Sequence, residues 1–219
     1  MSNETFDFRG PAGRLEAVLM HPAVAPVAAA VVCHAHPLHG GMMHFKVVFR
    51  AAKALQSAGL AVLRFNFRGV GRSEGTHDHG TGEQEDARAA LLELQGRLPG
   101  LPLVLGGFSF GSLVALRVAA RDARVRAVFA LGVPLSMSGG TGDRASLEQI
   151  RVPRLFVQGE LDEFGPGETL RALAEPLPPP REIVVIHGAD HFFEGRLDAL
   201  QDAVAAWAEG RPWTVPPAA

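Results

Sequence analysis

Six short, nearly unbroken apolar runs recur along the chain, at Ala28–Cys33, Leu60–Phe65, Leu103–Leu105, Val125–Leu131, Leu155–Val157 and Ile183–Ile186. A strand with one wet face alternates apolar and polar residues, whereas a strand covered on both faces does not. These runs therefore read as buried strands. The segments between them carry the helical period instead: Phe45, Val48, Phe49, Ala52 and Leu55 share one face, as do Ala87, Ala90, Leu91 and Leu94. Leu113, Leu116 and Ala120 mark a third helix, and Leu197, Leu200, Val204 and Trp207 a last one. Phe6–Phe8 and Leu15–Met20, joined through Gly10-Pro11-Ala12-Gly13, read as an opening pair of strands. Regular strand–helix alternation predicts an α/β fold: a doubly wound, mostly parallel sheet of about eight strands with helices on both faces.

At 219 residues the chain is expected to form one domain over residues 1–210, followed by a Pro-rich tail over 211–219. Net charge is −2 with both signs interspersed, so no basic stripe is present for nucleic acid. A single cysteine leaves no internal disulfide to form. The start, Met1 to Asp7, is polar and acidic, unlike a secretory leader, and no apolar run reaches the roughly 18 residues of a membrane helix. A soluble, cytoplasmic protein acting on a small molecule, with no membrane partner, is the expectation.

The chemistry concentrates in Leu103-Val104-Leu105-Gly106-Gly107-Phe108-Ser109-Phe110-Gly111, where an apolar strand runs into Gly-x-Ser-x-Gly and then a helix. The chain must reverse within a few residues there, which forces the serine into a strained conformation with its hydroxyl outward. The new helix also leaves backbone N–H groups near Ser109 without intrahelical partners, suited to holding an oxyanion. A serine hydroxyl needs a base, and the base an orienting acid. Leu155–Val157 is followed by Glu160, Asp162 and Glu163, and Ile183–Ile186 by His187, Asp190 and His191. Both sets lie just past strand ends, where α/β sheets hold their ligands. Asp162 and His191 are the favoured pair. Glu160, Glu163 and Asp190 read as solvated loop carboxylates, and His187, nearer its strand end, as structural.

A second cluster, His34-Ala35-His36-Pro37-Leu38-His39, follows the strand ending at Cys33. Imidazoles so spaced suit zinc and resemble the His-x-His-x-Asp-His motif of metallo-β-lactamase-like hydrolases, but Leu38 occupies its acidic position and no further His, Cys or carboxylate cluster completes a site, so no metal and no cofactor is predicted. Cys33 reads as a small buried hydrophobe.

With these residues in view, the chain resembles the serine α/β-hydrolase superfamily, and within it a branch of small capless bacterial hydrolases related to dienelactone hydrolase-like proteins. The branch-level marks are Cys33 to Gly41 and Arg64-Phe65-Asn66-Phe67-Arg68-Gly69-Val70-Gly71-Arg72-Ser73-Glu74-Gly75. The first commonly reads His-Pro-His-Pro in that branch, so Ala35 is a departure. The resemblance implies the order nucleophile, acid, base that Ser109, Asp162 and His191 follow. It also implies an oxyanion hole made by the backbone N–H of Phe110 and, from the loop after the Cys33 strand, that of His36. Dienelactone hydrolases use a cysteine nucleophile, and Ser109 points instead to ordinary ester chemistry.

The expected activity is carboxylic-ester hydrolysis through an acyl-enzyme. Lids of this fold usually sit in the interval that here runs from Pro134 to Val152, whose first half is rich in glycine and serine and of which only Ala145–Ile150 can make a short helix. That predicts an open site with a modest pocket of Phe108, Leu135, Met137, Phe164 and Phe192, and a preference for short acyl chains. Two alternatives belong to other classes: a non-catalytic binding protein on the same fold, and a zinc-dependent hydrolase built on His34, His36 and His39.

Overall fold

The computed structural model describes residues 2–138 and 144–210. The tail over 211–219 and the glycine-rich stretch over 139–143 lie outside the described residues. Among the described residues, eight strands form one sheet: β1 (Ser2–Gly10), β2 (Gly13–His21), β3 (Ala28–Cys33), β4 (Leu60–Phe65), β5 (Leu103–Phe108), β6 (Val125–Leu131), β7 (Arg154–Gly159) and β8 (Arg181–Ile186). Their order is β1-β2-β4-β3-β5-β6-β7-β8. β1 and β2 pair antiparallel, as do β2 and β4, and every other neighbouring pair is parallel.

The unbroken apolar runs have the reason expected of them. On one face Leu63, Val31, Leu105 and Phe156 pack with α2 (Thr81–Arg97) and α3 (Phe110–Ala119). On the other, Val62, Ala30, Val104 and Leu155 pack with α1 (Lys46–Ser57) and α6 (Leu197–Glu209). Neighbouring residues of one strand thus enter opposite cores. The edge strand β8 departs from this, since most of its residues are only half-buried. Phe49 does as well: the buried stripe of α1 runs through Val47, Val48, Ala51, Ala52 and Leu55. Phe49 turns outward under the Arg64 guanidinium, 5.3 Å from its ring centre.

The segment after β6 holds a 3₁₀ turn at Leu135–Ser138 and α4 (Arg144–Gln149), close to the short helix expected there. A further helix, α5 (Gly167–Ala174), was not anticipated from the sequence. The topology places the site. From β3 the chain moves outward to β4, then returns to the other side of β3 as β5, so the loops leaving β3 and β5 diverge and open a crevice at the sheet's carboxyl edge. Cys33 sits in register with Gly107, Leu131 with Val157, and Gly159 with Ile186, which brings the loops after β3, β5, β6, β7 and β8 to one edge.

Candidate active site

Ser109 occupies a sharp elbow between β5 and α3, with φ 54° and ψ −122°. Positive φ is uncommon for a residue with a side chain and is held only where the surroundings enforce it. Here they do. Ser109 N–H donates to the Leu131 carbonyl at 2.9 Å, and the Ser109 carbonyl accepts from the Ser112 hydroxyl at 2.6 Å. The two glycines of the motif are needed for close approach: a Cβ on Gly107 would lie 2.5 Å from the Gly111 backbone, and one on Gly111 2.4 Å from the His34 carbonyl. The elbow therefore rests directly on the loop that leaves β3.

Ser109, His191 and Asp162 come together as expected. Ser109 Oγ lies 2.9 Å from His191 Nε2, and His191 Nδ1 lies 2.8 Å from Asp162 Oδ2. The chain was brought back across 82 and 29 residues to make these contacts. Asp162 is fully buried, His191 nearly so, and Ser109 is 7% exposed. Asp162 is surrounded by donors: Oδ1 accepts from the Phe164 N–H at 2.9 Å and Oδ2 from Gln158 Nε2 at 2.8 Å. An ionised carboxylate accepts only, so this pattern fixes its two oxygens in place and, through Oδ2, assigns the proton of His191 to Nδ1. Nε2 is then left as an acceptor toward Ser109.

Gln158 is the residue that sequence reading passed over. It reads as one more position of a buried strand, yet its amide ties three segments together. Oε1 accepts from the Val133 N–H at 2.8 Å, while Nε2 reaches the Gly165 carbonyl at 2.6 Å as well as Asp162. The only available signal was a polar amide inside an apolar run. The rival acids and base fall elsewhere. Glu160 is at the surface, where it accepts from the Gly188 N–H and pairs with His187 at 2.7 Å. His187 is 91% exposed and is engaged by Glu160 rather than by the triad. Asp190 accepts from the Glu194 N–H at 2.9 Å.

The expected pocket needs correction. Phe164 and Phe192 are part-exposed and flank the His191 ring, with centroids 4.7 and 5.2 Å away. Phe108 has no exposed surface and Leu135 only 2%, so both are packing behind the site. Phe108 lies under His191 at 5.1 Å, and Leu135 abuts Gly165. The Met137 side chain lies outside the described residues.

The histidine cluster divides. His34 is fully buried with both ring nitrogens engaged: Nδ1 donates to the Ala35 carbonyl at 2.7 Å, and Nε2 accepts from the Phe67 N–H at 3.0 Å. Burial pushes its pKa down to about 4. A ligand role would require both hydrogen bonds to be surrendered, which argues against zinc held by His34, His36 and His39. His36 Nδ1 accepts from the Leu38 N–H at 3.2 Å, and its ring lies 5.0 Å from that of Phe110. Burial, with His77 and His39 nearby, lowers its pKa. Burial raises the pKa of the Cys33 thiol, consistent with a packing role.

The glycine-rich loop after β4 grips this neighbourhood. Arg64 donates to the Met43 carbonyl at 2.7 Å, and Asn66 Oδ1 accepts from the Met43 N–H at 2.8 Å. Arg68 forms a bidentate pair with the fully buried Asp86, at 2.9 and 2.7 Å. These side chains fasten loops to one another, so the sequence mark they belong to is structural support for the site.

A three-layered α/β sheet with a serine elbow at its carboxyl edge defines a hydrolase of this architecture, and known proteins agree. The profile of the family described as alpha/beta hydrolase domain matches residues 28–209, and the chain belongs to that family. It is 35% identical over 204 residues to an uncharacterized protein of Rickettsia prowazekii, covering 90% of this chain and 85% of that one. An alpha-beta serine hydrolase homologue from Coxiella burnetii superposes with a TM-score of 0.86 at 41% identity, covering 94% of this chain and 97% of the other. A serine hydrolase without a lid from Xanthomonas campestris superposes at 0.84 with 33% identity, covering 94% and 93%. The protein is thus an α/β serine hydrolase by family and fold. Among the described residues no helix is long and apolar enough to cross a membrane.

Proposed function

We propose that this hydrolase is a carboxylic-ester hydrolase acting through an acyl-enzyme, with Ser109 as nucleophile, His191 as base and Asp162 as its orienting acid. The observation that carries the reading is the unbroken chain of hydrogen bonds from Ser109 Oγ through His191 to Asp162, at 2.9 and 2.8 Å, on an elbow that aims the hydroxyl outward. Ser109 Oγ attacks the ester carbonyl carbon as His191 Nε2 takes the hydroxyl proton. The carbonyl oxygen, now anionic, is held by the backbone N–H groups of Phe110, the first residue of α3, and His36. The carbon–oxygen ester bond then breaks, and the alcohol leaves with the proton from Nε2. Water, deprotonated by the same nitrogen, repeats the sequence and frees the acid.

Short acyl chains, roughly two to six carbons, fit this site best, because each buried methylene adds about 0.8 kcal/mol only while a pocket can cover it. Beside the part-exposed Phe164, Leu135 is buried and the Ser136 N–H donates to the Phe164 carbonyl at 2.9 Å, so Leu135 adds no exposed apolar wall for a longer chain. Two measurements test the proposal. Ser109→Ala should lower p-nitrophenyl acetate turnover by several powers of ten with thermal stability retained, and an aryl phosphonate should label the parent on Ser109. Across p-nitrophenyl esters from acetate to palmitate, kcat/KM should peak among the short chains. Near-parental activity in Ser109→Ala overturns the mechanism, and a peak at long chains overturns the acyl preference.

A further inference from the structure

Beside the candidate site opens a cavity of about 620 Å³ that the reaction as written does not use. One wall comes from the loop between β3 and α1, with Met42, Phe45 and Lys46; the other comes from the residues after His191, with Phe192, Glu194 and Leu197. The two walls reach the reacting groups through ring contacts. Phe45 stacks on Phe108 at 5.7 Å and 12°, and Phe192 lies 5.2 Å from the His191 ring. Phe45 and Phe192 themselves face one another at 6.0 Å and 52°. Met42 is 43% exposed and Phe192 46%, and both line the same cavity, so an occupant would cover apolar surface on both walls.

The reaction determines which part of an ester comes here. The departing alcohol oxygen must lie within hydrogen-bond reach of His191 Nε2, because that nitrogen supplies its proton. The alcohol portion therefore extends along a flank of the His191 ring. The Phe192 flank leads into the cavity, since Phe192 touches the His191 ring and is itself one of the cavity walls. The lining then narrows the chemistry. Tilted aromatic rings and a methionine thioether favour a flat aromatic group over a saturated one of similar bulk. Lys46 and Glu194 contribute one charge of each sign to a lining that also holds His44, so neither sign of charge dominates it. The wall is also built to hold its shape, since the Met43 backbone is gripped on both sides by Arg64 and Asn66.

Resting on the esterase reading, we propose that this cavity is the leaving-group subsite and that it takes the neutral aromatic alcohol of an ester. At constant acyl group, kcat/KM should rank benzyl acetate above cyclohexylmethyl acetate and ethyl acetate, by about tenfold over ethyl. Phe192→Ala and Met42→Ala should each reduce the benzyl-to-ethyl ratio several-fold, and Phe164→Ala, on the opposite flank, should leave that ratio unchanged. Benzyl alcohol added to protein carrying ¹³C-methyl methionine should shift the Met42 methyl resonance, and Phe192→Ala should weaken that shift. A benzyl-to-ethyl ratio untouched by Phe192→Ala and Met42→Ala, equal rates for benzyl and cyclohexylmethyl acetates, or an unmoved Met42 methyl overturns the subsite. Failure of the esterase reading looks different: no acetate is turned over, or turnover survives Ser109→Ala, while the Met42 resonance still reports directly on the cavity.

Discussion

Replacing Asp162 by asparagine changes one oxygen to an NH₂ group, and the surroundings leave no good way to place it. Oδ1 accepts from the Phe164 N–H, and Oδ2 accepts from Gln158 and lies 2.8 Å from His191 Nδ1. With the amide nitrogen on the Oδ2 side, His191 must present Nδ1 as an acceptor. Its proton then moves to Nε2, which can no longer take one from Ser109, and the Gln158 amide meets a second donor. With the amide turned over, the buried Phe164 N–H loses its acceptor, at about 1–3 kcal/mol of stability. A neutral amide in either pose fails to offset the imidazolium that forms as Ser109 attacks. The expected loss is about 10⁴ in kcat, equivalent to about 5 kcal/mol of transition-state stabilisation. The assay is p-nitrophenyl acetate hydrolysis beside a thermal melt, with Asp190→Asn and Glu160→Gln in parallel. Asp190 accepts from the Glu194 N–H and Glu160 from the Gly188 N–H, neither from a triad residue, and their variants should stay within a few-fold of the parent. The reasoning fails if Asp162→Asn keeps a tenth or more of the activity, or if either control loses as much.

Two further outcomes follow from the same hydrogen bonds. Gln158→Leu strands the Val133 N–H and the Gly165 carbonyl, so urea unfolding should show a loss on the order of 2–4 kcal/mol, with kcat falling more than KM changes; a variant as stable and active as the parent refutes the positioning role. His34, held neutral by burial at about 4 against an ordinary 6.5, binds its proton more weakly folded than unfolded. Its contribution is therefore complete above about pH 6.5 and is lost as pH falls toward 4, at about 3 kcal/mol in total. The urea midpoint should drop between pH 7 and pH 4.5, and by less in His34→Gln; an equal drop in both would show that another group carries the effect.

The strands were readable because a parallel sheet covered on both faces favours apolar residues at nearly every position, and β3, β4 and β6 match the bounds of their runs residue for residue, Arg64 and Arg126 being the interruptions. The elbow and its partners were readable for a related reason. Strand ends converge on one edge, so a serine after β5, an acid after β7 and a histidine after β8 have to meet. Exposure within a loop was harder to read. Phe108 and Phe192 are alike as residues, but one ends a central strand and the other follows a buried histidine outward, a difference set by packing rather than by spacing. Gln158 was illegible because its partners lie on Val133, Asp162 and Gly165, and only the folded chain shows that they surround it. The α5 helix is short, opens on Pro166-Gly167 and buries few residues, so its period never rose above the surrounding turns.

The sheet order also carries a timetable. The proposed nucleophile stands near the centre of the sheet, just after β5, while its proposed base follows β8, at the far edge and later in the chain than every other strand described. Non-local pairing of this kind forms late, because long loops must close before the contact repays them. During synthesis the elbow can be built while the imidazole proposed to activate it is still to come, more than eighty residues later. A chain cut short before β8 would carry Ser109 without His191 and, on the proposed mechanism, would be inert.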